Sequence, residues 1–145
     1  MGKADLHIHT TASDGAAEPA DLVELAVSKN LNTISITDHD TIEGYRQARP
    51  LAESHAIHLI PGVEFTARHN GREIHLLAYH FNPHNKDILS LLRRQRQARR
   101  ERMEKILDHL RSSQGVDLDL DEVKAYARSS VVGRPHVARL MVKKR

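Results

Sequence analysis

Six residues of the types that bind metal ions lie in the first half of the chain, close to the ends of the strands that the sequence predicts. They are His7, His9, Asp14, His39, Glu64 and His75. Neutral imidazoles and ionised carboxylates are the ligands with which proteins hold two or more divalent ions about 4 Å apart around a shared hydroxide. The set therefore predicts a hydrolytic metal centre, to which residues 86–145 add only His109 and His136.

The evidence for such a centre is the joint occurrence of these residues, because a His-x-His pair alone is common on strands that bind nothing. Six further histidines lack carboxylate neighbours in the predicted elements, and we interpret them as surface residues: His55, His58, His69, His80, His84 and His109. Asp38 and Asp40 flank His39. We interpret them as a helix cap or as partners that orient the imidazole, in preference to ligands.

Length and composition limit the classes of protein. A chain of 145 residues can form one domain with its own core, but a complete parallel β/α barrel needs about 250 residues. Cysteine is absent, so any metal must be bound by nitrogen and oxygen, and we expect a reducing, cytoplasmic location. The N-terminal residues have no apolar stretch of signal-peptide length, and no segment predicts a membrane span.

Charge is distributed unevenly along the chain. Residues 1–85 carry 6 Lys and Arg against 11 Asp and Glu, a net −5, whereas residues 86–145 carry 16 against 8, a net +8. An acidic half that holds cations beside a basic half that holds phosphate would suit an anionic substrate. A solvated basic helix beside an ordinary domain explains the same charges equally well.

The elements that must position the ligands alternate between strand and helix. We predict strands over 4–9, 33–37, 57–60 (resuming over 63–67 after Pro61-Gly62) and 72–79, with helices that begin near Pro19 and at Thr41 as N-cap. Side chains alternate along a strand, so His7 and His9 share one face. His39 follows the second strand directly.

Asn70-Gly71, between the last two strands, is the commonest pair for a type I′ hairpin turn. A two-residue turn there places Thr66 opposite His75. Glu64 then shares the face of His75 at a diagonal distance of about 7–8 Å between backbones, and a metal ion fits between the two side chains. A one-residue bulge would break this register.

From residue 85 onward the pattern is helical. Apolar residues at helical spacing flank the polar run 93–102, so a single helix through Ser112 would be about 38 Å long at 1.5 Å per residue, with a middle that faces solvent or a ligand. Asp119 is a candidate N-cap for a helix over 120–128, and Gly133 opens a last helix.

The motifs resemble those of the PHP family, named for polymerase and histidinol phosphatase. The matching segments are Asp5-Leu6-His7-Ile8-His9-Thr10, Ser13-Asp14-Gly15, Thr37-Asp38-His39-Asp40, Pro61-Gly62-Val63-Glu64 and His75. Their order and spacing, together with Val132-Gly133-Arg134-Pro135-His136, most resemble a branch of small metal-dependent phosphoesterases. That branch includes nucleoside 3′,5′-bisphosphate phosphatases and 5′-to-3′ exoribonucleases.

The resemblance implies an α/β fold: residues 1–84 as the N-terminal part of a distorted, TIM-like β/α barrel of the PHP type, and 85–145 as a basic helical cap or insertion. It also implies two or three divalent ions, of Mn, Fe or Zn, bound by the six residues named above. Glu64 would bridge two ions and act in catalysis with Asp14 and His39. The family's later His-Pro and closing Asp-x-His are absent, so the chain matches about half of a usual member.

The implied chemistry is metal-dependent hydrolysis of phosphoesters in nucleotides or short RNA. Arg134 and His136, at the start of the last helix, would bind a substrate phosphate. A helix N-terminus salt-bridged to nearby carboxylates is an equally good alternative. The run 93–102 could follow a nucleic-acid backbone, but it holds no aromatic residue for base stacking, and we favour solvated helix surface.

The alternative function, from another class, is a non-catalytic remnant or fragment that needs a partner chain. The partner would be a missing C-terminal half or another copy of the chain, because part of a barrel has unpaired edge strands that favour pairing with another chain. A downstream reading frame with His-Pro and Asp-x-His would indicate a truncated or split enzyme, and none would favour a remnant. Metal identity stays open, since such sites accept Mn, Fe and Zn.

Overall fold

The computed structural model describes residues 2–129 and 131–144. In chain order the elements are β1 (Lys3–Ile8), α1 (Pro19–Ser28), β2 (Leu31–Ile36), α2 (Glu43–Ser54), β3 (His58–Leu59), β4 (Gly62–His69), β5 (Arg72–Tyr79), α3 (Lys86–Gln114), α4 (Leu120–Ala127) and α5 (Arg134–Lys143). Within those residues no helix combines the length and apolar character needed to cross a bilayer.

Strands β1, β2 and β3 form a parallel sheet in that order. Parallel neighbours need crossover connections, which α1 and α2 supply, so the carboxyl ends of β1 and β2 lie on the same side. Apolar side chains of β2 and the two helices form the core under this sheet: Val23, Ala26, Ile34, Ile36, Ala48, Ala52 and Ile57. Among the described residues, no strand pairs with the outer edge of β1, and Leu6 on that strand is 42% exposed.

Strands β4 and β5 form a separate antiparallel hairpin. Asn70 and Gly71 have φ angles of 49° and 75°, as a type I′ turn requires. Thr66 pairs with His75, which confirms the predicted register. The side chains of Glu64 and His75 therefore lie on the same face of the hairpin.

The break at Pro61-Gly62 separates two sheets, where the sequence predicted one interrupted strand. Strand β3 stays beside β2, whereas β4 leaves that sheet and pairs with β5. A Cβ atom at Gly62 would lie 2.2 Å from Ser35 Oγ, so glycine is required where the backbone crosses β2. A single parallel bridge between His39 and Glu64 connects the hairpin to the end of β2.

The basic segment forms helices that pack against each other and against the hairpin. Helix α3 is one helix of 29 residues, capped by Asn85 and ended by Gly115 at φ 65°. Its second half packs with α4 and α5 around a core that includes Met103, Leu107, Val123, Val137 and Leu140. Near its start, Leu92 packs on Ile42 and Val63.

Two predicted helix caps have different outcomes. Asp119 caps α4 by accepting a hydrogen bond from the Glu122 N–H at 2.7 Å. Thr41 was expected to be the N-cap of α2, but the helix begins at Glu43 with Ile42 in that position. The Thr41 hydroxyl still accepts from the N–H of Glu43, the first residue of the helix, at 3.2 Å.

Candidate metal centre

The structure brings the six candidate ligands together where β1 and β2 end and the hairpin meets them. Their donor atoms form three overlapping groups, each within 4.8 Å: His7, His9 and Glu64; His9, Asp14 and His39; and His39, Glu64 and His75. Neighbouring groups share a residue, so they form one continuous cluster. This is the arrangement that a centre of more than one ion requires.

Glu64 lies in the middle of this cluster and is 4% exposed. Its Oε2 is 3.0 Å from His7 Nε2 and 2.8 Å from His9 Nε2, and its Oε1 is 2.5 Å from His75 Nδ1. Burial raises the pKa of Glu64, but the hydrogen bond with His7 and the nearby imidazoles lower it overall. The carboxylate is therefore ionised, and its two oxygens face different imidazoles.

Asp14 lies on the loop after β1, between two imidazoles. Its Oδ1 is 3.2 Å from His9 Nδ1, and its Oδ2 is 3.7 Å from His39 Nε2. The hydrogen bond with His9, together with the charge of His39, holds the pKa of Asp14 at about 2. Burial lowers the pKa of His9, but Asp14 and Glu64 raise it overall, so a cation is favoured at this position.

His39 provides an observation that fits a bound metal ion. The residue is 8% exposed, and its Nδ1 is buried with no hydrogen-bond partner among the described residues. Burial, and then the charge of Arg99, lower the pKa of His39, so the imidazole is neutral and can bind a cation. An unpartnered buried nitrogen costs about 1–3 kcal/mol, and coordination to a divalent ion would remove that cost.

Asp38 shapes the loop that carries Asp14, and its interpretation as a partner of the His39 imidazole is wrong. It is buried and accepts hydrogen bonds from the Thr10 N–H at 2.7 Å and from the hydroxyls of Thr10 and Ser13, each at 2.6 Å. Three donors from one loop converge on this carboxylate. Asp38 therefore fixes the loop from Thr10 to Asp14 and positions Asp14, a candidate ligand.

Asp40 binds helix α3 and also does not contact the His39 ring. It has a positive φ of 53° and accepts from the Thr66 N–H at 3.1 Å. The Nε and Nη2 atoms of Arg99 each lie 3.0 Å from its Oδ2, and Nη2 also donates to Thr66 Oγ1 at 2.5 Å. This buried ion pair fixes both the residue after His39 and the strand position opposite His75.

The interpretation of the run 93–102 as solvated surface is wrong for three of its arginines. Arg99 is bound to Asp40, Arg96 donates to the Asp40 carbonyl at 3.1 Å, and Arg102 pairs with Glu73. The signal available in the sequence was the three-residue spacing of these arginines, which places them near one face of a helix. It did not identify their partners, which are separated from them by 29 residues or more of chain.

The two predicted phosphate ligands, Arg134 and His136, lie in different environments. Arg134 is exposed, and its Nη2 lies 3.7 Å from Glu73 Oε1. It lines a cavity of about 340 Å³ that Asp14, His39 and His75 also line. His136 is 4% exposed, and its Nδ1 accepts from the Gly133 N–H at 3.0 Å, so its ring caps α5.

The histidines interpreted as spectators are all exposed, as expected: His55, His58, His69, His80, His84 and His109. The expectation that none has a carboxylate neighbour is wrong for His55, whose Nε2 lies 3.3 Å from Glu24 Oε1. Glu24 is on α1 and His55 follows α2, and the packing of those two helices brings them together.

Comparison with known proteins supports the same family. The PHP domain matches residues 5–130. A 5′-3′ exoribonuclease of Haemophilus influenzae is 38% identical over 140 residues, which are 97% of this chain and 50% of the relative. A 3′,5′-nucleoside bisphosphate phosphatase of Chromobacterium violaceum is 26% identical over 143 residues, 98% of this chain and 50% of the relative.

The fold has a close structural neighbour. The crystal structure of a protein from Bifidobacterium adolescentis, assigned there as a metal-dependent phosphoesterase, has a TM-score of 0.85 and 34% identity over 98% of this chain and 50% of that one. The chain thus spans about half the length of the relatives it matches. Its three parallel strands, hairpin and helical insertion form the N-terminal part of a distorted β/α barrel.

Proposed function

The chain belongs to the PHP family, and from that premise we propose that it supplies the metal-binding half of a phosphoesterase acting on nucleotides or short RNA. The observation that carries this proposal is the convergence of four imidazoles and two carboxylates into three overlapping ligand groups. A buried, unpartnered His39 nitrogen within that cluster supports it. The bound ions would be Mn²⁺, Fe²⁺ or Zn²⁺, which such nitrogen and oxygen ligands accept.

Each ligand would have a distinct part in the mechanism. When bound, the divalent ions would polarise the phosphoryl oxygens and lower the pKa of the attacking water. Glu64 faces different imidazoles with its two oxygens and would hold two ions at a fixed separation. Asp14 and His39 would hold a further ion at the cavity that Arg134 lines, and Arg134 would orient a phosphate there.

Metal binding by this chain is the first test. At a concentration about 100 times its dissociation constant, Mn²⁺ or Zn²⁺ should stabilise the folded chain by about 2.7 kcal/mol, because it binds the folded state alone. For a chain of this size that corresponds to a rise in Tm of roughly 5–10 °C. The double variant His7→Ala with His9→Ala should lose the rise, measured by thermal unfolding with and without metal.

The matched control for this test is His69→Ala with His84→Ala, which removes two exposed histidines outside the ligand groups. It should keep the full rise in Tm. Equal rises in the two double variants would show that the cluster is not the metal site.

Arg134 is proposed to bind the phosphate of the nucleotide that is not cleaved, since it lies on the helical insertion. Lysine keeps the charge but loses the bidentate fork of the guanidinium. In an enzyme that also contains a C-terminal half like that of its relatives, Arg134→Lys should therefore raise KM about tenfold for a bisphosphorylated nucleotide and much less for a simple phosphate monoester. Arg139→Lys, an exposed position on the same helix, should change neither value, and a uniform loss in Arg134→Lys would assign the residue a structural role.

The second candidate function is a non-catalytic fragment or remnant that needs a partner chain. It is favoured by the exposure of two ligands, since the side chains of His7 and His75 are 51% and 38% exposed. Both lie on strands whose outer edges no described residue pairs. A homo-oligomer or the missing half could cover them.

A complementation experiment separates the two candidates. The chain is mixed with the separately produced C-terminal half of the Haemophilus influenzae relative, and metal-dependent hydrolysis of a phosphate monoester is measured. Activity in the mixture that exceeds the activity of either part would support a split or truncated enzyme. Its absence, with metal binding intact, would favour the remnant.

A further inference from the structure

A second cavity, of about 410 Å³, lies between α3, α4 and residues 131–132. Five of its lining side chains are cationic, and no carboxylate is among the described residues that line it: the cations are Arg93, Arg96, Arg99, Arg100 and Lys124. We call this cavity the arginine groove. Its charge differs from that of the cavity of about 340 Å³ at the candidate metal centre, which we call the metal cavity and whose wall includes the carboxylates of Asp14 and Glu73.

Two of these arginines keep an uncompensated charge. In the ranges 2–129 and 131–144, no carboxylate lies within ion-pair distance of Arg93 or Arg96. Arg93 is exposed, and Arg96 donates one hydrogen bond to the carbonyl of Asp40. A carbonyl accepts a hydrogen bond but carries no net charge, so both guanidinium groups can attract an anion.

Arg99 is held by the buried Asp40 carboxylate, whereas the other two rim cations have only weak partners. Arg100 pairs with Glu104 at 3.1 Å, and Lys124 pairs with Asp121 at 2.9 Å. These carboxylates are exposed and lie on the same helix as their partners. Exposed pairs of this kind contribute little and exchange readily for another anion, so both cations are available to a ligand.

The arginine groove adjoins the metal cavity. Arg99 lines both, and Val132, on the wall of the groove, is followed directly by Gly133, on the wall of the metal cavity. A chain-like anion that has one end at the metal ligands can therefore continue past Arg99 into the groove. A mononucleotide would not need that space.

We propose that the arginine groove binds the phosphodiester backbone of a single-stranded RNA whose terminal phosphate lies at the metal centre. The proposal rests on the proposed function and specifies its substrate class as an oligonucleotide. Arg93, Arg96 and Arg100 follow one face of α3 over about 10 Å at 1.5 Å per residue, a length that suits more than one phosphate. No aromatic side chain is among the described lining residues, so binding depends on phosphate and is independent of sequence.

The test measures RNA binding without catalysis. Fluorescence anisotropy of a labelled ten-nucleotide RNA is recorded in EDTA, so that neither metal binding nor hydrolysis contributes. Arg93→Glu should raise Kd at least about tenfold and reduce the slope of log Kd against log salt concentration by about one. Arg94→Glu is the matched control, because Arg94 is the adjacent exposed arginine and does not line the groove; its Kd should change less than about threefold.

Three results would overturn the proposal. Equal losses in Arg93→Glu and Arg94→Glu would show general attraction to the basic half. An unchanged Kd in Arg93→Glu and in Arg93→Glu with Lys124→Glu would exclude the groove, and so would failure of the parent chain to bind RNA at low salt. The His7→Ala and His9→Ala variant separates this proposal from the proposed function, since it should lose metal binding and keep RNA binding.

Discussion

Glu64→Gln is expected to lower kcat at least about 1,000-fold for a bisphosphorylated nucleotide and for a simple phosphate monoester, in an enzyme that also contains a C-terminal half like that of its relatives. Glutamine has the same shape but no charge, and an amide cannot bridge two cations. Glu64 lies within 3.0 Å of three of the four imidazoles, so its loss affects the whole cluster. A 1,000-fold loss corresponds to about 4 kcal/mol of transition-state stabilisation. Steady-state kinetics measure the loss of kcat, and the metal content of the purified variant measures the loss of bound ions.

Glu73→Gln is the control for this prediction. Glu73 is also a carboxylate near the centre, with its Oε1 at 3.4 Å from His75 Nε2, but it belongs to none of the three ligand groups. It pairs instead with Arg102 and Arg134. Its kcat should stay within about tenfold of the parent value. Full metal occupancy and activity in Glu64→Gln would remove the bridging role that we propose.

Arg99→Gln is expected to lower the free energy of unfolding by about 3–5 kcal/mol, because it leaves the buried Asp40 carboxylate without a cation. The same substitution should weaken metal binding, since the Arg99 bridge fixes the residue next to His39. Urea unfolding gives the first effect. Calorimetric titration with Mn²⁺ gives the second.

Two further variants separate the buried pair from a general loss of charge. Arg100→Gln removes an exposed, half-solvated cation one residue along the helix and should cost less than about 1 kcal/mol. Arg99→Gln combined with Asp40→Asn should be more stable than Arg99→Gln alone, because no charge remains buried. If Arg99→Gln and Arg100→Gln proved equally stable, the ion pair would not hold α3 to the metal centre.

Structural features that depend only on residues close together in the sequence, such as turns and helix caps, could be predicted from the sequence. The type I′ turn follows from Asn70-Gly71, because those residues accept positive φ at low cost, and the turn fixes the pairing of Thr66 with His75. The capping of α4 by Asp119 follows in the same way from one side chain and a backbone N–H three residues later. Such interactions are local, so the sequence specifies them directly.

The candidate ligands were also identifiable, for a chemical reason. Few residue types bind divalent ions, and their placement after successive strands limits where they can meet. The close grouping of Glu64, His9 and His75 arises because the end of β1 meets the face of the hairpin that carries Glu64 and His75. The sequence indicated which residues could meet, and the structure gives the distances.

The buried supports of the site were decided by tertiary structure alone. Asp38, Asp40 and Arg99 are ordinary charged residues in the sequence, and each could be solvated. Arg99 is 59 residues from Asp40 along the chain, and no local pattern links them. The separation of β3 from β4 at Pro61-Gly62 is a similar case, because it depends on the close approach of Gly62 to Ser35. A buried charge takes whichever partner the packing of distant segments brings within reach, and that packing is set by the whole fold.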